Sequence, residues 1–179
     1  MLTGKNLRRD NLTASHEHYL RAIFEVLNLR GYARLADVCR ELGIAPPTLS
    51  VGLKALEARG LVAHDERRFL TLTPEGERVA KEVHHRFAVM RAFLKDVLGI
   101  SEQQALDEAC LLEHDVSAST VERVLDLVKL MREDGELREF FQRRFADYHR
   151  SCRPAAVCAT CDLACLPTTP ADHPVGSRV

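Results

Sequence analysis

Cys110, Glu113 and His114 stand at i, i+3 and i+4 within Glu108-Ala109-Cys110-Leu111-Leu112-Glu113-His114. On a helix these offsets put all three side chains on one face. A thiolate, a carboxylate and an imidazole then converge on one point, as a transition-metal site requires. The plainer use of the same residues is Cys110 as a small buried hydrophobe beside a solvated Glu113–His114 pair. An enzyme with Cys110 as nucleophile and His114 as base is a third reading. It is set aside, because no loop that could stabilise an oxyanion accompanies the pair, and the chain is read as a non-enzyme.

A second group of soft donors lies near the C-terminus. Cys152, Cys158, Cys161 and Cys165 form a C-x5-C-x2-C-x3-C cluster that could hold Zn²⁺ or an iron–sulfur cluster. The alternative is an irregular tail rich in Pro, Thr and Ala with unused thiols.

The bulk composition sets the frame for both groups. At 179 residues, 46% hydrophobic and 28% charged, the chain reads as a globular protein with one or two modest cores. No apolar run approaches the ~20 residues that span a bilayer. Met1 to Asp10 lack the apolar stretch of a secretion signal. A cytoplasmic location is expected, and there the cysteines are thiols or metal ligands before they are disulfides. The net charge of -1 does not advertise a nucleic-acid binder, although one basic face can coexist with an acidic remainder.

The elements that must position these residues follow from apolar spacing. Tyr19, Leu20, Ile23, Phe24 and Leu27 predict a helix over about 13–28, capped by Thr13 or Ser15. Leu35 to Leu42 is a short helix closed by Gly43. After the Ile44-Ala45 turn, Pro46 and Pro47 open a helix that carries Leu49, Leu53 and Leu56 inward and ends at Gly60. Leu61–His64 and Phe69–Leu72 read as two strands joined by Asp65–Arg68. Thr73 caps a long helix that begins at Pro74 and stops at Gly99. Two helices, a tight turn and a β-hairpin make a winged helix-turn-helix.

Beyond Pro74 only helices are expected. Ser101-x-x-Gln104 and Ser119-x-x-Glu122 suit capping boxes. Asp134-Gly135 precedes a last helix from Glu136 to about Arg150. The fold class is therefore mainly α, with an N-terminal winged helix-turn-helix followed by an all-helical dimerisation domain. The expected domains are 1–73 for DNA binding, 74–150 for metal binding and dimerisation, and 151–179 for the cysteine-rich tail.

Four stretches in this order resemble the DtxR/MntR family of metal-dependent transcriptional repressors. They are Ser15-His16-Glu17-His18-Tyr19-Leu20-Arg21-Ala22-Ile23, Pro47-Thr48-Leu49-Ser50, Leu72-Thr73-Pro74-Glu75-Gly76, and Glu108-Ala109-Cys110 through Glu113-His114. The resemblance covers roughly Leu12 to Met131. It implies a homodimer formed by the helices after Pro74 and a metal site joining the first helix to that domain. Position by position it implies the ligands His18, Cys110, Glu113 and His114.

The chain also departs from the family pattern. Some relatives carry Met or Asp in place of His18. Iron-sensing relatives build a second site from positions that fall here on Phe87, Arg91 and Leu106. Manganese-sensing relatives have a Glu where this chain has Arg21. Neither a conventional second site nor a two-metal cluster is therefore expected, although His84 or His85 stands up to one turn before Phe87. The SH3-like domain of longer relatives is expected to be missing.

The expected function is a metal-dependent DNA-binding regulator that represses metal-uptake genes. Fe²⁺ is favoured over Mn²⁺, with Zn²⁺ and Co²⁺ as further candidates, because a thiolate leans away from manganese. The expected partner is a double-stranded DNA operator. Its readers are Pro47, Thr48, Ser50 and Val51 at the start of the recognition helix, with Arg34, Lys54, Arg67 and Arg68 on phosphates. The competing reading keeps the DNA-binding unit and moves the signal to the cysteine tail, as a redox or iron–sulfur sensor.

Overall fold

The computed structural model describes residues 12–151. The described chain divides into two compact units, one up to Glu133 and one from Asp134 onward.

In the first unit, α1 spans Ala14–Arg30, α2 Leu35–Leu42 and α3 Pro46–Ala58. Thr13 starts α1 with a capping box: its hydroxyl accepts the His16 N–H, and its own N–H is donated to His16 Nδ1. Gly43, at φ 65°, closes α2 in the left-handed region, where a Cβ is costly, and turns the chain into α3. Pro46 and Pro47 occupy the first turn of α3, where no N–H is needed.

Strands β1 (Val62–His64) and β2 (Leu70–Leu72) pair antiparallel, with Ala63 opposite Thr71. Leu70 N–H also bonds the Ala33 carbonyl at 2.8 Å, which ties this wing to the α1–α2 connection. Two helices, a tight turn and a hairpin constitute a winged helix-turn-helix, as the spacing predicts.

The core under it is built from Leu20, Ile23, Val38, Leu49, Leu56, Leu61, Leu70, Val79 and Val83, all at most 1% exposed. Two glycines allow close packing around this core. A Cβ on Gly52 of α3 would overlap the Tyr19 ring of α1. A Cβ on Gly76 would overlap the Leu61 carbonyl oxygen. The Thr73 hydroxyl accepts the Gly76 N–H at 3.1 Å and donates to the Gly60 carbonyl at 2.7 Å. The Thr73-Pro74-Glu75-Gly76 stretch is therefore a joint that seats the next helix on the wing.

That helix, α4 (Pro74–Ala92), packs against α1 on one side and α5 (Glu102–Asp115) and α6 (Ala118–Glu133) on the other. A second apolar cluster of Phe87, Met90, Leu94, Ala105 and Ala109 joins α4 to α5.

Three local expectations change. The long helix does not stay α-helical to Leu98: it opens into a π-turn over Phe93–Val97, with Leu98 N–H bonding the Phe93 carbonyl. Apolar spacing cannot separate these two windings. Ser101 accepts the Gln104 N–H, but the Gln104 side chain turns forward to Glu108, so only half of that capping box forms. The cap of α6 is Ser117, whose hydroxyl accepts the Thr120 N–H, and not Ser119, which lies inside the helix.

The second unit holds α7 (Gly135–Ser151), capped by the Asp134 carboxylate on the Leu137 N–H at 2.8 Å. Phe141 and Phe145 stack on its surface.

Candidate metal centre and nucleic-acid interface

Because α1 and α5 both lean on α4, His18 of α1 meets the donor face of α5. Nε2 of His18 lies 3.2 Å from Cys110 Sγ, 3.3 Å from Glu113 Oε1 and 2.7 Å from His114 Nε2. The donor atoms of His18, Cys110 and Glu113 all lie within 4.8 Å of one another. His114 Nε2 adds a fourth donor, 3.5 Å from Glu113 Oε1.

The His18–Cys110 and His18–Glu113 spacings suit one coordination sphere, since metal–ligand bonds of about 2.0–2.3 Å separate neighbouring ligand atoms by about 3–3.7 Å, whereas His114 Nε2, at a hydrogen-bond distance of 2.7 Å from His18 Nε2, would have to draw back to join it. Glu113 supplies a second test of fit. It is fully buried, and neither carboxylate oxygen meets a hydrogen-bond donor in good geometry. A buried carboxylate left this way is costly unless a cation answers it. The residues present fit a divalent transition metal.

The electrostatics agree. Without metal, His18 sits among acceptors, and its pKa is raised to about 10, first by the Cys110 side chain, then by Glu113, against the effect of burial. The proton on His18 therefore holds the place that a metal would take.

His114 is oriented from behind by Glu17, whose Oε2 lies 2.7 Å from Nδ1. Arg86 of α4 reaches the same carboxylate oxygen at 3.1 Å, and both Glu17 and Arg86 are buried. With Nδ1–H donated to Glu17, the Nε2 lone pair faces the donor cluster.

The residues expected from the sequence to face DNA are disposed as follows. Pro47, Thr48, Val51 and Lys54 lie exposed on α3, and Val51 is 71% exposed despite its apolar side chain. Ser50 is half-buried and donates its hydroxyl to the Pro46 carbonyl at 2.8 Å, leaving its oxygen as an acceptor. Arg67 and Arg68 are exposed at the wing tip, where Asp65 accepts the Arg67 and Phe69 N–H groups. The Arg34 guanidinium lies over the Tyr32 and Phe69 rings, at 5.2 and 5.4 Å.

Comparisons with known proteins give this architecture a family. Residues 11–70 match the family model "Iron dependent repressor, N-terminal DNA binding domain", and residues 73–139 match "Iron dependent repressor, metal binding and dimerisation domain". The chain belongs to the DtxR/MntR family of metal-dependent transcriptional regulators.

Among its DtxR/MntR relatives is the HTH-type transcriptional regulator MntR of Lysinibacillus sphaericus (strain C3-41). It is 29% identical over 125 residues, which are 70% of this chain and 89% of that protein. MntR of Bacillus subtilis (strain 168) is 27% identical over 68% of this chain and 85% of its own. Among solved structures, T. acidophilum IdeR superposes with a TM-score of 0.56 at 27% identity, covering 62% of this chain and 52% of that one. The manganese regulator SloR gives 0.59 at 25% identity, covering 66% and 55%. This chain therefore spans about half the length of these solved DtxR/MntR relatives.

All four residues inferred as ligands from the DtxR/MntR resemblance meet at one place. Two residues that orient the centre were not read from the sequence as parts of it: Glu17 and Arg86. The available signal was Glu17 on the apolar face of α1, three residues before Leu20, next to a proposed histidine ligand. His16 is used in the α1 cap, and His84 Nδ1 pairs with Glu25 Oε1 at 3.0 Å. The four tail cysteines lie outside the described residues. Among the described residues, no helix is long and apolar enough to cross a membrane.

Proposed function

We propose that this chain is a cytoplasmic homodimeric repressor that binds a double-stranded DNA operator when one divalent transition metal occupies the His18–Cys110–Glu113–His114 site, and that it controls metal-uptake genes. The observation that carries this reading is the meeting of His18, on the first helix of the DNA-binding domain (1–73), with three donors on α5 of the helical domain (74–150).

A bound ion would supply one positive centre shared by both sets of donors. The chain's own residues do the rest. His18 must release its proton to bind, so loading is coupled to pH. Glu17 keeps His114 in the ligating tautomer. Glu113 brings a buried negative charge to the centre, faced by His18 at 3.3 Å and by Arg21 at 3.4 Å. With α1 held to α5, the two recognition helices of a dimer stand at one spacing, which suits half-sites about one DNA turn apart or a multiple of it. The exposed apolar Leu111, Leu112 and Leu130 on α5 and α6 provide surface for the second copy.

Two imidazoles and a thiolate favour Fe²⁺ over Mn²⁺, which prefers oxygen donors; Co²⁺ and Zn²⁺ fit the same set. Relatives named as manganese regulators make this preference the point to test. On the DNA, Pro47, Thr48, Ser50 and Val51 face the major groove, and Arg34, Lys54, Arg67 and Arg68 neutralise phosphates.

The test is fluorescence anisotropy on DNA upstream of the protein's own gene. It is run with chelator and then with anaerobic Fe²⁺, Mn²⁺, Zn²⁺ and Co²⁺, for wild type and Cys110→Ala. Metal-dependent binding that is lost in Cys110→Ala supports the reading and ranks the ions. Equal binding with chelator and with every metal overturns it.

A further inference from the structure

The recognition helix α3 is short of the side chains that read bases by hydrogen bonds. Its sequence, Pro-Pro-Thr-Leu-Ser-Val-Gly-Leu-Lys-Ala-Leu-Glu-Ala from Pro46 to Ala58, holds no Arg, Asn or Gln. Those are the residues that grip guanine or adenine edges with two hydrogen bonds. Glu57, a type that accepts from the cytosine amino group, turns instead to the wing, with Oε1 2.9 Å from His64 Nδ1. The Ser50 hydroxyl donates to the Pro46 carbonyl at 2.8 Å. With Lys54 on phosphate, the exposed hydrogen-bonding side chain left on α3 is that of Thr48.

Leu49, Leu53 and Leu56 bury one side of the helix. On the opposite side Pro47, Val51, Ala55 and Ala58, at steps of four, four and three, form one outward row. Every side chain in that row is hydrocarbon. Val51 is 71% exposed, and its β-branch holds two methyl groups in one preferred rotamer. In the major groove the projecting apolar group is the C5-methyl of thymine, whereas amino, carbonyl and ring-nitrogen groups want hydrogen-bond partners. Those polar groups would lose water against the Val51 row with nothing in return. A thymine methyl against the same row removes apolar surface of both partners from water.

We propose that α3 selects its operator through thymine methyl groups, with Val51 as the specificity-determining contact. In each half-site its isopropyl group packs on one thymine C5-methyl, with Pro47 and Ala55 continuing the apolar row on either side. The inference rests on the DNA-binding reading above and adds the base that is read.

Deoxyuridine tests this, because it pairs as thymine does and lacks the methyl. Footprinting with metal-loaded, full-length protein first narrows the DNA upstream of the protein's own gene to its protected half-sites. Each thymine there is then replaced singly by deoxyuridine, and anisotropy titrations compare wild type with Val51→Ala. For wild type, one position should lose about fourfold in affinity when changed in one half-site and about fifteenfold when changed in both, as for one methyl group per half-site returned to water. Val51→Ala should bind the thymine operator more weakly than wild type and be nearly indifferent to the same replacement. Circular dichroism checks its fold, and Val51→Ser carries the same expectation as a second variant. Unchanged wild-type affinity at every replaced thymine, or half-sites without thymine, overturns the proposal. An equal loss in wild type and in both variants overturns it as well, since another residue then reads the methyl. No protection by wild type, with any metal or with chelator, overturns the DNA-binding reading and, with it, this inference.

Discussion

Glu17 Oε2 on α1 lies 2.7 Å from His114 Nδ1 on α5, and Arg86 of α4 reaches the same oxygen at 3.1 Å. Three helices are joined through one buried carboxylate, directly behind a proposed metal ligand. Outer carboxylates of this kind fix the tautomer and orientation of ligating histidines. Glu17→Gln should therefore weaken metal binding about 10–100-fold while leaving the fold intact. Competition titration against a chromophoric chelator measures this, and an unchanged affinity would remove the positioning role.

The pH response has opposite signs with and without metal. In metal-free protein the His18 pKa is raised to about 10 from 6.5, chiefly by the Cys110 side chain and then by Glu113. A folded-state pKa above the unfolded one means that the protonated ring favours the fold. The contribution is full below pH 6.5 and is lost as the pH rises through 10. Chelated wild type should thus lose more thermal stability than His18→Ala between pH 6.5 and pH 10. Metal loading must expel that proton, so metal affinity should rise by about tenfold per pH unit for each proton released. Thermal melts in chelator and metal titrations across the same range check the two signs.

Gly76→Ala tests the joint between wing and α4. The added methyl meets the Leu61 backbone carbonyl, which cannot rotate away as a side-chain tip could. Overpacking of this kind costs about 1–3 kcal/mol, and a rigid backbone neighbour puts the cost at the upper end. Urea unfolding should show the midpoint falling accordingly. A midpoint equal to that of wild type would mean that the α4 start shifts freely.

Arg67 and Arg68 sit exposed at the wing tip, with Arg68 at φ 60°. If both contact phosphates, Arg67→Ala with Arg68→Ala should weaken operator and non-operator DNA alike. It should also reduce the slope of log affinity against log salt by about 2. An unchanged slope would place the wing away from the backbone. Anisotropy titrations at several salt concentrations supply the slope.

Much of this was legible in the sequence because its signals were local. Pro46-Pro47, Gly43 and the Leu49/Leu53/Leu56 spacing mark the helix-turn-helix within fourteen residues. The cap residues Thr13, Thr73 and Ser101 each act on an N–H three residues away. Cys110, Glu113 and His114 share a helix face by arithmetic alone. His18 needed the family resemblance, because ninety-two residues separate it from Cys110.

Glu17–Arg86 and Arg21–Phe87 were not legible as pairs. Each joins separate helices, and a charged residue near an apolar stripe reads equally well as solvated. The π-turn at Phe93–Val97 was hidden for another reason. Inward residues at steps of three and four fit either winding, and only the hydrogen bonds distinguish them.

Tyr19 follows His18 directly in the chain, and its ring lies flush on the bare backbone of Gly52, midway along the recognition helix. Neighbouring residues on one turn of α1 thus touch the sensing centre and the reading head. A β-carbon at position 52 would act as a cushion between the two helices. Its lack lets the Tyr19 ring sit directly on α3, so any shift of α1 at His18 would press on that helix with nothing between them, as between meshed gear teeth.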